Sequence, residues 1–361
     1  MTLALTCVAA YGAQVGSFEQ LSWSAPGLAR DLYVHPAGDD ANSGQASAPL
    51  RTIGRAAERI QPGATVHVAP GVYFENVATR RHGAAHAPIR YVSDVKWGAK
   101  IVGAGTEATW TNHGNYAQIV GFDISGSGRI GILNWASWTL VAGNHVHDMA
   151  VSGGCTSNGG AGINNANYGA SDDDVIGNVV HDIGVPGACN GVHGIYTSNA
   201  RGRIVDNLVY RNASYGIHLW HAADAVLVAN NTVFHNGAKG MGGGILVGSG
   251  DTPRKLVINN TSVVNNIVYQ NPGWGIVEYC YPGHSCIGPA NTVANNLVYG
   301  NGTGIGLRVG KATGTIVADP QFADFQADGS GDYRLRESSP AIKRGMALGA
   351  AAPAPDADET N

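Results

Sequence analysis

Two short signatures alternate through the middle of this chain, and few folds can absorb such a repeat. The first is a Gly-Ile step, seen at Gly131-Ile132, Gly162-Ile163, Gly194-Ile195, Gly216-Ile217, Gly244-Ile245, Gly275-Ile276 and Gly304-Ile305. The second is an asparagine with valine two positions on and then a ring, running from Asn144 and His147 through Asn178, Asn207, Asn231 and Asn266 to Asn296 and Tyr299. Gly-Ile steps are never closer than 22 residues, and a period of about 20 to 50 residues is the mark of stacked repeats. The apolar segments are short and alternate with a period of two, so each repeat reads as strands rather than helices. An all-β solenoid follows, a single-stranded parallel β-helix in which every coil turns one Ile and one Val inward. The recurring Asn suits a corner, where its side chain tolerates left-handed backbone and where stacked amides can bond from coil to coil.

Composition agrees. The chain of 361 residues has 52 glycines and only 13% charged side chains, which suits one long solenoid with many tight corners. A net charge of −4 excludes the basic footprint of a nucleic-acid binder. No run of 18 apolar residues marks a membrane span. No heptad segment is present to hold a trimer, so a monomer is expected.

The flanks read as closures. Residues 1–13 are apolar and end in small residues, a possible signal remnant without a basic leader. Residues 14–63 hold a strand, a Gly/Asp/Asn/Ser loop and a helix capped by Thr52 and stopped by Pro62-Gly63. Ala56, Ala57 and Ile60 give that helix an apolar face to cover the open end of the core. Coils and a closing segment (ADPQFADFQADGSGDYRLRESSPAIKRG) occupy residues 64–346, and residues 347–361 form a disordered Ala/Pro/Asp tail. Cys155 and Cys189 fall in the same kind of loop one coil apart, and Cys280 and Cys286 share one loop. Two local disulfides, with Cys7 left over, are expected, and with them an oxidising compartment, secreted or periplasmic.

On the repeat, the capping helix and the closing segment, the chain resembles the right-handed parallel β-helix superfamily typified by secreted pectate lyases. The resemblance covers most of the chain and implies a polysaccharide substrate, a groove on the Gly-Ile sheet, and Ca²⁺ as a common helper. Because the superfamily also holds hydrolases, epimerases and binding spikes, it does not by itself name a reaction.

Loop lengths place a trough. Residues 149–161 and 183–193 lengthen one edge of the Gly-Ile sheet in the early coils; residues 248–262 and 280–294 lengthen the opposite edge in the later ones. If each Ile faces inward, the residue after it faces out. Asn164, Tyr196 and His218 then form a vertical polar run about 4.8 Å apart. Trp135, Asn164, Trp220, His221, Trp274 and Tyr279 are the expected sugar-binding residues, the rings stacking on pyranose faces. His193 flanks the sheet at one edge and His221 at the other, and Arg211 and Lys239 enter from the loops.

Tyr196, His218, His193, Arg211 and Lys239 supply what β-elimination next to a uronate carboxylate requires: a base, an acid and a group to neutralise the carboxylate. The expected activity is therefore that of a polysaccharide lyase. The rivals are a glycoside hydrolase using Asp148 and Asp182, and a non-catalytic carbohydrate-binding spike or adhesin. The run Asp172, Asp173, Asp174 offers hard oxygen ligands for Ca²⁺. The ring column from His147 through His181 and Tyr210 to Tyr299 lies on another sheet and reads as a structural ladder. The chain departs from the pectate lyase pattern in having no Arg or Lys on its central strands.

Overall fold

The computed structural model describes residues 30–105, 107–151, 159–185, 187–251 and 256–348. Nearly all of them coil through three long parallel sheets of ten, nine and nine strands. One coil shows the plan. Leu140–Ala142 lies in the first sheet, His145–Met149 in the second, which carries the ring column, and Gly160–Asn165 in the third, which carries the Gly-Ile steps. This is the right-handed parallel β-helix that the repeat predicts. No helix among the described residues is long and apolar enough to cross a membrane.

The two signatures meet inside the coil. Ile132, Ile163, Ile195, Ile217, Ile245 and Ile276 are fully buried and face one another in register. The valines Val146, Val180, Val209, Val233 and Val268 are fully buried as well. A Cβ added at Gly131, Gly162, Gly194, Gly216, Gly244 or Gly275 would fall 2.3–2.7 Å from the Cγ1 of the signature valine that follows it in the chain, on the next coil. Glycine therefore recurs because the valine methyl of the ring sheet lies against its backbone, and the two signatures are halves of one contact.

The recurring Asn does one of the two things expected of it. Asn144, Asn178, Asn207, Asn231, Asn266 and Asn296 are wholly buried, and each Nδ2 donates to the next Oδ1 at 2.9–3.1 Å. The left-handed backbone belongs to the residue before each: Gly143, Gly177, Asp206, Asn230, Asn265 and Asn295. A second ladder, Asn212–Asn236–Asn271–Asn301, runs down the corner after the ring sheet at 2.8–3.1 Å.

Both ends are closed differently. Thr52 Oγ1 accepts from Arg55 N at the start of helix Ile53–Arg59, and the Glu75 carboxylate accepts from the amides of Ile53 and Gly54. Ala56, Ala57 and Ile60 are buried against the first coils, as the helix's apolar face requires. The closing segment does not lie over the opposite end. Its antiparallel hairpin, Phe322–Asp324 with Asp332–Leu335, folds back and buries Phe322 and Tyr333 against Tyr210, Phe234 and Tyr269 of the ring sheet. Cys280 and Cys286 form a disulfide. Cys189 is buried, whereas Cys155, its expected partner, lies outside the described residues, as do residues 1–13 and the tail from 349.

Candidate active site

Register on the Gly-Ile sheet is as the alternation demands. Leu133, Asn164, Tyr196, His218, Leu246 and Val277 pair in one outward column. The residue before each glycine also faces out, which brings His193 onto the face rather than leaving it at an edge. Its ring lies 5.5 Å from Tyr196 and 4.1 Å from His218. Glu278, next to Val277, is buried, and its carboxylate accepts from the amides of Arg308 and Val309.

Hydrogen bonds set the tautomers of the histidine pair. The Tyr215 amide donates to His193 Nδ1 at 3.3 Å, so the His193 proton sits on Nε2 and is given to His218 Nδ1 at 2.8 Å. The remaining proton of neutral His218 is then on Nε2, which is buried and meets no partner among the described residues. Burial pushes the His193 pKa down to about 3 and, together with the neighbouring His193 and His221, drives that of His218 well below its ordinary value. Both rings are neutral at pH 7. Asn164 Oδ1 is likewise buried without a partner two coils away in the same column. A solenoid face leaving two such groups unsatisfied is shaped for a polar guest, since each costs about 1–3 kcal/mol unmade.

Beside this column is a dyad that the repeat does not reveal. His221 has a left-handed backbone (φ 59°) directly after strand Tyr215–Leu219 and Trp220. Its Nδ1 lies 2.8 Å from both oxygens of Asp251. The Asp251 carboxylate accepts the Nδ1 proton and leaves Nε2 with a lone pair, which fits a general base. Burial lowers the His221 pKa and Asp251 opposes the shift; the net direction is down. Tyr168 stacks on His221 at 4.3 Å, and the Tyr196 ring stands 6.2 Å from it. Burial raises the Tyr196 pKa, keeping its phenol protonated.

The aromatic residues divide by exposure. Trp220 is only 8% exposed, not an open platform: its indole fills the space over Gly248, between Tyr279 and Tyr281. The exposed rings there are Tyr279 at 41% and Tyr281 at 48%. Trp274 lies over Gly306 at the far coil, and Trp135 is exposed beside the apolar early coils. Two expected cations fall elsewhere. Arg211 makes a forked ion pair with Asp182 and covers the Tyr210 ring, which puts it on the ring sheet. Lys239 is exposed in the tight Ala238–Met241 turn, and no described contact brings it to Tyr196 or His218.

Asp148 and Asp182 are left-handed corner residues bonded to His147 and His181, which places them on the ring sheet rather than with Tyr196 and His218. The acidic run offers no common Ca²⁺ cradle. Asp172 pairs with Arg201 and Asp174 with Arg203, while buried Asp173 accepts from Thr139 and Asn199; no step is routed through Ca²⁺. Burial pushes the Asp173 pKa up to about 7. A raised folded-state pKa means the native state holds the proton more tightly. The contribution is fully present below the unfolded value of about 3.9 and is lost as pH rises to about 7. Denaturant unfolding of Asp173→Asn should therefore lack the decline between pH 4 and pH 7 that the parent chain shows.

Asp251, Tyr168 and Tyr281 escape the sequence reading because they sit in corner loops outside the repeat template. The extra length of 248–262 is the one signal that pointed towards Asp251.

Residues 36–81 match a family described as a protein of unknown function (DUF1565). The uncharacterized protein YwoF of Bacillus subtilis (strain 168) is 37% identical over 60 residues, a match that spans 17% of this chain and 13% of that protein. Among solved structures, pectate lyase Pel9A superposes with a TM-score of 0.63 at 16% identity, covering 89% of this chain and 92% of that one. A rhamnogalacturonan lyase gives 0.55 at 16% identity, covering 83% and 92%. A xylose complex of XylC gives 0.52 at 11%, covering 80% and 65%. Identities this low speak to architecture, and in architecture the chain is a right-handed parallel β-helix of the pectate-lyase kind.

Proposed function

We propose that the chain is a secreted or periplasmic polysaccharide-active enzyme, and within that class a lyase that opens a uronate-containing glycan by β-elimination. The observation that carries this reading is the neutral His/Tyr/Asn column beside the His221–Asp251 dyad. It supplies a base, an acid and an N–H donor on one sheet face, with one carboxylate rather than the pair that glycoside hydrolysis uses. The lyases among the fold neighbours and the Cys280–Cys286 disulfide support the class and the compartment.

In this reading His221 Nε2 takes the proton on the sugar carbon beside the carboxylate. The electron pair left behind forms a carbon–carbon double bond as the neighbouring glycosidic C–O bond breaks, and the Tyr196 hydroxyl protonates the departing oxygen. His218 Nε2–H faces the substrate carboxylate, whose charge spreads as the proton leaves, and Asn164 Oδ1 accepts from a sugar hydroxyl. Tyr279 and Tyr281 stack on flanking sugars. The protein acts as a monomer.

The test is incubation with a panel of acidic and neutral polysaccharides, following the ultraviolet absorbance of unsaturated uronides together with reducing ends. Both signals rising on an acidic glycan are expected. Reducing ends alone on any substrate point to hydrolysis, and binding with neither signal points to a carbohydrate-binding spike.

A further inference from the structure

The ring ladder changes character along its length. Under the C-terminal hairpin it is Tyr210, Phe234 and Tyr269, but its other end holds three histidines and an aspartate. His145 and His147 alternate outward on one strand. His147 pairs with His181 on the next coil, and His145 pairs with Asp123 on the coil before. One outward patch therefore carries four ligand-type side chains, and the potential ligand atoms of the three imidazoles lie within 4.8 Å of one another.

Every imidazole is braced by a carboxylate at Nδ1. Asp123 holds His145 at 3.0 Å, Asp148 holds His147 at 2.8 Å, and Asp182 holds His181 at 2.6 Å. A carboxylate only accepts, so each Nδ1 bears a proton, which leaves the Nε2 of His145 and of His181 with a lone pair turned into the patch. The Nε2 atoms of His145 and His181 then face one another at 2.8 Å, and two lone pairs so close must be bridged by a proton or a metal ion. Asp123 Oδ1 lies 3.2 Å from His147 Nε2. Trp97 packs over His145 and Tyr210 stacks under His181, which holds the outer rings in place.

We propose that His145, His147 and His181, braced by Asp123 and the neighbouring carboxylates, form a binding site for a divalent transition-metal ion of the zinc class. Three imidazole nitrogens supply three corners of a tetrahedral set, and imidazole favours zinc-like ions over Ca²⁺ or Mg²⁺. The Nδ1 carboxylates are the outer bracing that metal-bound histidines need. Three imidazoles from two neighbouring coils hold the ion as a staple between them and leave its fourth position to water. Because the patch lies on the ring sheet, the site is independent of the proposed chemistry on the Gly-Ile sheet.

The test uses the full chain, stripped with chelator and titrated with Zn²⁺ by calorimetry and with Co²⁺ by visible absorption. One ion per chain is expected, with the intense Co²⁺ bands of tetrahedral nitrogen and oxygen ligation and a higher Tm when loaded. Asp182→Asn should weaken binding about 10- to 100-fold, and His145→Gln with His181→Gln should abolish it. No binding by the parent chain overturns the site, since a shared proton then lies between the rings; so does binding that survives both histidine changes. Should those variants fail to fold, His147→Gln at the half-exposed rim and the parent titration decide the matter.

Discussion

His221→Gln is expected to lower turnover of an acidic glycan by about 10²- to 10⁴-fold, the usual weight of a positioned base, with the unfolding midpoint little changed. The ring is held by Asp251 and Tyr168, and glutamine keeps much of its bulk, so its loss bears on chemistry more than on packing. Tyr196→Phe should give a similar loss, because the departing oxygen is then left without its proton. The pH profile carries further information. His221 must be neutral to act, and its lowered pKa places the acid limb of kcat/KM below about 6.5. Asp251 is the influence that raises that pKa; Asp251→Asn should therefore move the acid limb to lower pH as well as slow the reaction. The raised pKa of Tyr196 means that no alkaline loss from this group is expected below about pH 10. A profile in which Asp251→Asn moves the limb upward would sink the assignment of His221 as base.

The largest stability effect is expected at the middle of the first asparagine ladder. Asn231 Oδ1 accepts from both the amide and the side chain of Asn207, and its Nδ2 donates to Ile204 O and to Asn266 Oδ1. Asn231→Ala removes all four bonds in a place with no solvent exposure, and the space freed cannot satisfy the partners. At about 1–3 kcal/mol for each buried group left unmade, and with some partners retaining a second bond, the total is about 3–6 kcal/mol. Equilibrium unfolding in denaturant measures it. Asn231→Asp would keep the acceptor and lose both donor bonds, giving a smaller loss at neutral pH only if the charge finds water. A change under 1 kcal/mol for Asn231→Ala would mean that the ladder is decorative.

Much of the architecture was legible because the coils are translations of one another. Each Ile and Val recurs at the same depth, so the inward and outward columns follow from alternation alone, and the Asn164–Tyr196–His218 run came from that rule. What alternation does not reach is any residue positioned by a corner loop. Arg211 looked free to enter the trough, yet its backbone is left-handed (φ 52°) at a corner and Asp182 on the coil before claims it. Trp220 faces outward as the register requires, but Gly248 beside it leaves a hollow that the indole fills. The ring column read as one structural ladder; only the packing of the C-terminal hairpin on its tyrosine half separates that half from the histidines.

By itself the amino-acid order determined the coil, its inward isoleucines and valines, the amide ladder and the outward polar run. These depend on contacts between like positions one repeat apart, and periodicity carries that information. The tertiary structure alone decided that Asp251 meets His221, that Asp123, His145, His147 and His181 share one patch, and which cations were already spoken for. Those pairings join side chains from loops of unequal length or from different coils, and the distance between such groups is set by how the coils stack, not by how far apart they lie along the chain.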